Sequence, residues 1–388
     1  MEFAGIITEY DPFHNGHAAQ LAAVRRAGAR CIAVCMSSGA VQRGGVSIVP
    51  ESVRVRAALA SGADLVVALP APYACATAEQ FAAAGVHLLA ALGCDTLAFG
   101  AETPDPAPLL QAARLLREEA LQPLLRRKLS AGVTYAVARS QAAEELAPGM
   151  GDLLRTPNNI LGVEYCKAIL AQQAPLTPLP LPRWGAAHGG APGTHNGVAM
   201  ASASHLRGIP LVQWAPFVPD SALVLYQQAR TAGQWLDGRR LETALLALLR
   251  AMPPERFATV RGVSEGLEHR LEAAVREAGS LEDLYARLKT KRYPHARLRR
   301  LVLDAALQIP GNLPAPPYLQ VLGARKEALP RLSRAGLPAG TSLADLAKTG
   351  PEARQIAELH SRAVDFSSLC RETIFPMGLA FTAKPVVL

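Results

Sequence analysis

Two histidines, His14 and His17, flank an Asn-Gly step in "GIITEYDPFHNGHAAQ", residues 5 to 20. They follow an apolar run that breaks at Asp11-Pro12. They precede alanines and leucines that predict a helix starting near Asn15. Histidines at i and i+3 share one side of a first helical turn. That turn also presents unpaired N–H groups and partial positive charge. Imidazoles placed there can donate hydrogen bonds to phosphate oxygens as charge builds on a departing pyrophosphate. Gly16 removes a side chain where a phosphate must approach the backbone. A capping histidine beside a core histidine would give the same letters. The position directly after a first strand, in the form H-x-G-H, favours nucleotide binding.

The elements that must hold this pair are legible in outline. "FAGIITEY", "CIAVCMS", "DLVVALP" and "DTLAFGA" read as strands that are apolar throughout, each followed by a helical pattern. Such alternation predicts an α/β fold with a Rossmann-like parallel sheet covered on both faces. Ligands bind such sheets at the carboxyl ends of the strands. That rule gathers "EYDPFHNGH", "SSGAVQRGG", "LPAPYA" and "FGAE" around one crevice. "LTPLPLPRW" is a further strand candidate, although its prolines weaken it. From Asp220 onward the pattern is mainly α-helical, with Pro-rich "PGNLPAPPY" as a linker or turn. The expected division is residues 1–219 for the nucleotide domain and 220–388 for the helical region.

The bulk numbers narrow the class. The chain has 388 residues, 50% of them hydrophobic, which is ample for two or three domains. A net charge of +8 favours polyanionic partners such as nucleic acid. The six cysteines, at positions 31, 35, 75, 94, 166 and 370, form no CxxC pair, so no metal site is expected from them. Cys31 and Cys35 read as buried small hydrophobes in a strand. No signal peptide and no run near the ~20 apolar residues of a membrane span is present, which predicts no membrane association and a cytoplasmic location. A Gly-rich P-loop is absent, which argues against γ-phosphoryl transfer.

The H-x-G-H element resembles the signature of the nucleotidyltransferase-like α/β superfamily. That resemblance implies attack on the α-phosphate of ATP with release of pyrophosphate. "SASHLR" resembles the superfamily's later serine-rich motif. Hydroxyls of Ser202 and Ser204 at a helix start can hold phosphate, and Arg207 can neutralise pyrophosphate.

A closer resemblance covers roughly residues 3 to 325. "EYDPFHNGH", "VQRG", "DLVVALP", "FGAE", "PNNILGVEY", "SASHLR", "EGLEHR" and "LKTKRY" occur in the order found in the tRNA(Met) cytidine acetate ligase family. The resemblance implies activation of acetate by ATP to acetyl-adenylate, then acetylation of N4 of the wobble cytidine in elongator tRNA(Met). Its ATP loop falls on Ile7, Thr8, Glu9, Tyr10, Asp11, Pro12, Phe13, His14, Asn15, Gly16, His17, Ala18, Ala19 and Gln20. Further implied ATP contacts are Gly100, Asn158, Arg183 and Trp184. Mg2+ is the expected companion of the triphosphate. The family usually carries Asn where Asp11 stands, and often a basic residue at Glu51. Asp11 is therefore read either as a Mg2+ ligand or as a helix cap.

"KTKRYPHARLRR", residues 289 to 300, supplies a candidate tRNA surface. Lys289, Lys291, Arg292 and Arg297 can neutralise phosphates, and Tyr293 can stack on an unpaired base. A solvated helix face would look similar. Two other functional readings stay open: a small-metabolite adenylyltransferase, and an RNA-binding protein with a degenerate nucleotide site.

Overall fold

The computed structural model describes residues 1–183, 191–264, 266–291 and 293–388. The chain begins with β1 (Phe3–Thr8), α1 (Asn15–Arg26), β2 (Cys31–Ser37), α2 (Glu51–Ala60), β3 (Leu65–Leu69), α3 (Ala71–Ala74), α4 (Ala78–Ala91) and β4 (Thr96–Ala101). After several helices comes β5 (Thr177–Pro182), then a hairpin of β6 (Gly193–His195) and β7 (Val198–Met200). Three strands follow late: β8 (Leu319–Ala324), β9 (Ala339–Gly340) and β10 (Val386–Val387). The main sheet runs β10-β8-β3-β2-β1-β4-β5, with β9 beside β8. Strands β3, β2, β1, β4 and β5 are mutually parallel, as their apolar runs predict. Their order reverses at β1, and the crevice beyond its carboxyl end is the topological switch point.

Two glycines seat α4 directly on the strand that carries the histidine loop. A Cβ on Gly85 would lie 2.5 Å from Cδ1 of Ile7, and one on Gly5 would lie 2.6 Å from Cδ1 of Leu89. Each glycine leaves room for the other element's side chain. Strand β1 stops at Thr8, two residues before the expected end, because Tyr10 takes a left-handed φ of 48° and turns the chain.

The prolines of β5 are accommodated because it is an edge strand. Pro178, Pro180 and Pro182 alternate, so their missing N–H groups all fall on one side. Thr177 donates its amide to Asp95 O at 2.9 Å on the other side, facing β4.

The second half departs from a purely helical region. It contributes the helices Asp220–Thr231, Gly238–Arg250, Leu267–Glu277, Leu281–Leu288, His295–Ala306 and Pro351–Leu369. It also returns β8 to the first-half sheet, antiparallel to β3. The expected boundary between residues 219 and 220 therefore does not coincide with the sheet. The helical half shares its core with the first half as well: Ala40, Val46, Ala71 and Cys75 pack among Leu245, Leu298, Val302 and Phe366. All six cysteines are free and buried, Cys31 and Cys35 within β2 as its apolar run predicts. Among the described residues no helix is long and apolar enough to cross a membrane.

The loop after β2 docks on the helix His295–Ala306 through Gly44. This glycine has φ +79°, and a Cβ there would sit 2.5 Å from the backbone of Arg299 and Arg300. Gly28 has φ +100° with nothing nearby. Gly28→Ala is expected to cost about 1 kcal/mol for the backbone alone. Gly44→Ala should cost about 1–3 kcal/mol more, because backbone must move. Equal losses in urea unfolding would mean that the loop does not dock this way.

Candidate active site

The loop between β1 and α1 is held by a reciprocal cap made from the two histidines. His14 is the N-cap of α1 with extended φ −143° and ψ 175°. Its Nδ1 accepts from the Gly16 amide at 3.1 Å, and Nδ1 of His17 accepts from the His14 amide at 3.3 Å. The rings stack with centroids 3.7 Å apart and planes 21° apart. Buried Tyr10 and Phe13 wedge the second ring, with centroids 4.7 and 5.6 Å from that of His17.

This cap fixes the tautomer. A backbone amide can only donate, so each Nδ1 must be the bare acceptor and each neutral ring carries its proton on Nε2. Burial pushes His14 down to about 3, helped by the charges of Arg183 and Arg207. Burial, His14 and Arg183 likewise hold His17 well below the ordinary histidine range. Two neutral imidazoles thus stand side by side as Nε2–H donors. A serine would cap the helix as well, but it would carry no ring N–H to donate.

The frame around them is cationic. Asp11 is a fully buried carboxylate whose Oδ2 pairs with Arg43 and whose Oδ1 accepts from the Ile48 amide at 2.7 Å. Burial alone would raise its pKa, but Arg43, Arg207 and Arg54 outweigh that and hold it below the usual range. Neither expectation for Asp11 is met. Its oxygens are sealed away from any metal, and the helix cap is His14. Glu9 helps to fix the same loop, accepting from the Gln42 amide at 2.6 Å and pairing with Arg43 at 3.2 Å. Arg54, also buried, donates to Glu9 O at 2.6 Å and Ser37 O at 2.8 Å.

The other expected residues gather on the same crevice, several with their polar atoms already engaged. Ser202 caps the helix Ala203–Arg207 by accepting from the His205 amide at 3.2 Å. Arg207 donates to Ser204 Oγ at 3.1 Å and to the carbonyl of Asp11. Asn15 Nδ2 donates to Ala199 O at 2.9 Å and Pro216 O at 3.0 Å, tying the β6–β7 hairpin to α1. Gly100 lies under Arg183, whose Cγ would be 3.4 Å from an added Cβ. Trp184 and Arg292 lie outside the described residues.

Three positioning residues were not singled out from the sequence. Glu102 accepts from Asn158 Nδ2 at 2.5 Å and from the Asn159 amide at 2.8 Å, and lies 3.6 Å from Arg183. It thereby orients two expected ATP contacts. Arg43 braces both acidic residues of the first loop. Buried Tyr226 uses its hydroxyl to accept from the Phe13 amide at 2.8 Å and donate to Phe13 O at 3.1 Å. Glu102 and Arg43 stand in quoted motifs at strand ends, which was an available signal. Tyr226 arrives from 213 residues away and had none.

In the basic segment, Lys289 and Lys291 are exposed. The Arg297 guanidinium lies 4.5 Å from the centroid of the Tyr293 ring and donates to Ser264 Oγ at 3.2 Å. Arg300 donates to Gln42 O at 3.4 Å, one residue from Arg43. The basic helix therefore touches the loop that braces Asp11.

Two outcomes follow. His14→Asn keeps a capping acceptor and should stay within about 0.5 kcal/mol of the parent, whereas His14→Ala should lose about 1 kcal/mol in denaturant unfolding. Identical losses would refute the cap. Asp11 has a folded pKa below its unfolded value of 3.8, so its contribution is present above that pH and disappears as pH falls through the folded value. Asp11→Asn should be less stable by a few kcal/mol, about 3–5 at most, at neutral pH. The gap should narrow below about pH 4; a pH-independent gap in urea titrations would count against the ionised pair.

The geometry agrees with what the chain resembles. A family described as HIGH Nucleotidyl Transferase matches residues 1–374. The chain is 36% identical over 310 residues to the tRNA(Met) cytidine acetate ligase of Anoxybacillus flavithermus, covering 78% of this chain and 76% of that one. It is 29% identical to the ligase of that name from Acetivibrio thermocellus, over 100% of both chains. The crystal structure of apo Thermotoga maritima TmcAL matches with a TM-score of 0.91 and 25% identity across both full chains. The same protein bound with alpha-thio ATP matches with a TM-score of 0.89. The chain belongs to the HIGH nucleotidyl transferase family and, within it, to the tRNA(Met) cytidine acetate ligases.

Proposed function

We propose that this chain activates acetate with ATP and transfers the acetyl group to N4 of the wobble cytidine of elongator tRNA(Met). The observation that carries the reading is the stacked histidine pair with both Nδ1 atoms engaged and both Nε2–H groups left as donors. The triphosphate lies over Gly16 and the first turn of α1. An acetate oxygen attacks the α-phosphorus, and the bond to the bridging oxygen of pyrophosphate breaks. His14 and His17 donate to phosphate oxygens as that charge develops, with Arg183 beside them. The cytidine amine then attacks the acetyl carbonyl, forming the amide and releasing AMP. No covalent enzyme intermediate is needed; positioning and charge do the work.

Mg2+ would enter as the companion of the triphosphate. The carboxylates of Glu9, Asp11 and Glu102 are engaged by protein donors. Among the described residues they do not form a metal cradle.

Transfer to tRNA is supported by the contact between the helix His295–Ala306 and the Arg43 loop, with exposed Lys289 and Lys291 in the segment just before that helix. Lysines can neutralise phosphates flanking an anticodon stem.

The deciding assay supplies ATP, labelled acetate and tRNA, and reads acetylcytidine. The parent protein should label tRNA, and His14→Asn, which keeps the cap, should lose at least about 100-fold in rate along with His17→Ala. Full activity in either variant would overturn the histidine roles. Lys289→Glu with Lys291→Glu should weaken tRNA binding and flatten its salt dependence by about one to two in slope, with ATP binding unchanged. Unaltered tRNA affinity would remove this segment from the interface.

A further inference from the structure

The loop that carries Arg43 leaves the sheet through a buried polar contact with the helix Pro351–Leu369. Ser38 follows β2, and its amide donates to Leu69 O at the end of β3, 3.0 Å away. Its hydroxyl lies 3.4 Å from Nε2 of His360 on that helix. Nδ1 of the same ring accepts from the Ala71 amide at 3.2 Å. An amide can only donate, so Nδ1 is bare, and the neutral ring donates from Nε2 to Ser38 Oγ. Burial lowers the pKa of His360 to about 4, which keeps the ring neutral. Both side chains are buried.

The pair stands where the loop chooses its path. The next residue, Gly39, has φ +73°, and a Cβ there would meet Ala71, Ala363 and Val364 at 3.2, 3.3 and 3.3 Å. Further along, the Gln42 amide reaches Glu9, and Arg43 reaches both Glu9 and Asp11. The other end of the loop is held just beyond the same helix. Buried Arg371 donates to Ser47 O at 2.8 Å and to Ser367 Oγ at 2.7 Å. A buried hydrogen-bonded pair adds little stability over apolar groups of the same shape. What it adds at Ser38 is direction, because only one path of the loop satisfies both partners.

We propose that Ser38 and His360 form a positioning pair for the nucleotide site, fixing the loop from which Arg43 braces Glu9 and Asp11 and so holds the histidine turn in place. The inference rests on the histidine roles proposed above. It gives the helix Pro351–Leu369 a part in the ATP half of the reaction.

Two variants of His360 separate positioning from packing, because each removes the ring. In His360→Gln the side-chain nitrogen takes the place of Nε2 and still donates to Ser38. In His360→Asn the side-chain oxygen takes the place of Nδ1 and still accepts from Ala71, but nothing reaches Ser38. With ATP, labelled acetate and tRNA, kcat for acetylcytidine should fall about tenfold in His360→Asn and in Ser38→Ala. It should stay near the parent in His360→Gln, and the KM for tRNA should not change in any of them. Adding Ser38→Ala to His360→Asn should lower kcat no further. The Nε2 proton resonances of His14 and His17 should move in His360→Asn and Ser38→Ala but not in His360→Gln. The inference falls if the two His360 variants lose rate equally, if Ser38→Ala matches the parent, or if the losses multiply. Ser38→Ala leaves the ring in place and carries the test should a His360 variant fail to fold. A parent protein that does not label tRNA would overturn the proposed function instead. The histidine resonances then decide the pairing, and unmoved resonances in Ser38→Ala would overturn it.

Discussion

A carboxylate with no access to water must be surrounded by donors, and Asp11 organises the crevice because of that requirement. Its oxygens take Arg43 and the Ile48 amide, and its carbonyl takes Arg207. Three segments far apart in sequence are thereby fixed to one another: the turn after β1, the loop after β2, and the helix Ala203–Arg207. Buried ion pairs gain little net stability over apolar packing, but losing one partner is costly. The arrangement therefore sets geometry more than it adds stability. Placing the two histidine rings in contact at the mouth of α1 depends on that geometry.

The same cations govern the histidines. Burial and the neighbouring guanidiniums keep both rings neutral. Neutral rings still donate through Nε2, and they need no proton from solution before a phosphate arrives. The positive field at the rings comes from Arg183 and Arg207. Charge and directional donors are thus supplied by different residues. Such division suits a leaving pyrophosphate, whose charge grows during the reaction and meets donors already in place.

Much of the fold was legible because buried parallel strands are written as apolar runs. The first four strands and α1 follow from that pattern, and H-x-G-H at the first strand end located the crevice. The later parts were hidden for identifiable reasons. β8 is six residues long, buried on both faces, and set in a helical half, so periodicity cannot separate it from a helix fragment. Tyr226 and Arg54 act through long-range contacts with backbone carbonyls and amides, which no local spacing encodes. Asp11 read as a Mg2+ ligand or a helix cap; only the fold shows that Arg43 and the Ile48 amide engage it. The prolines of β5 argued against a strand until its edge position became visible.

The account rests on two neutral rings that present Nε2–H to the crevice. Long-range proton–nitrogen correlation NMR on the histidine-labelled protein at neutral pH reads this directly. The predicted result is that His14 and His17 each show a bare Nδ1 and a protonated Nε2 in the free enzyme, with both Nε2 protons shifting when ATP is added. An imidazolium signal, or protons on Nδ1, would contradict the account.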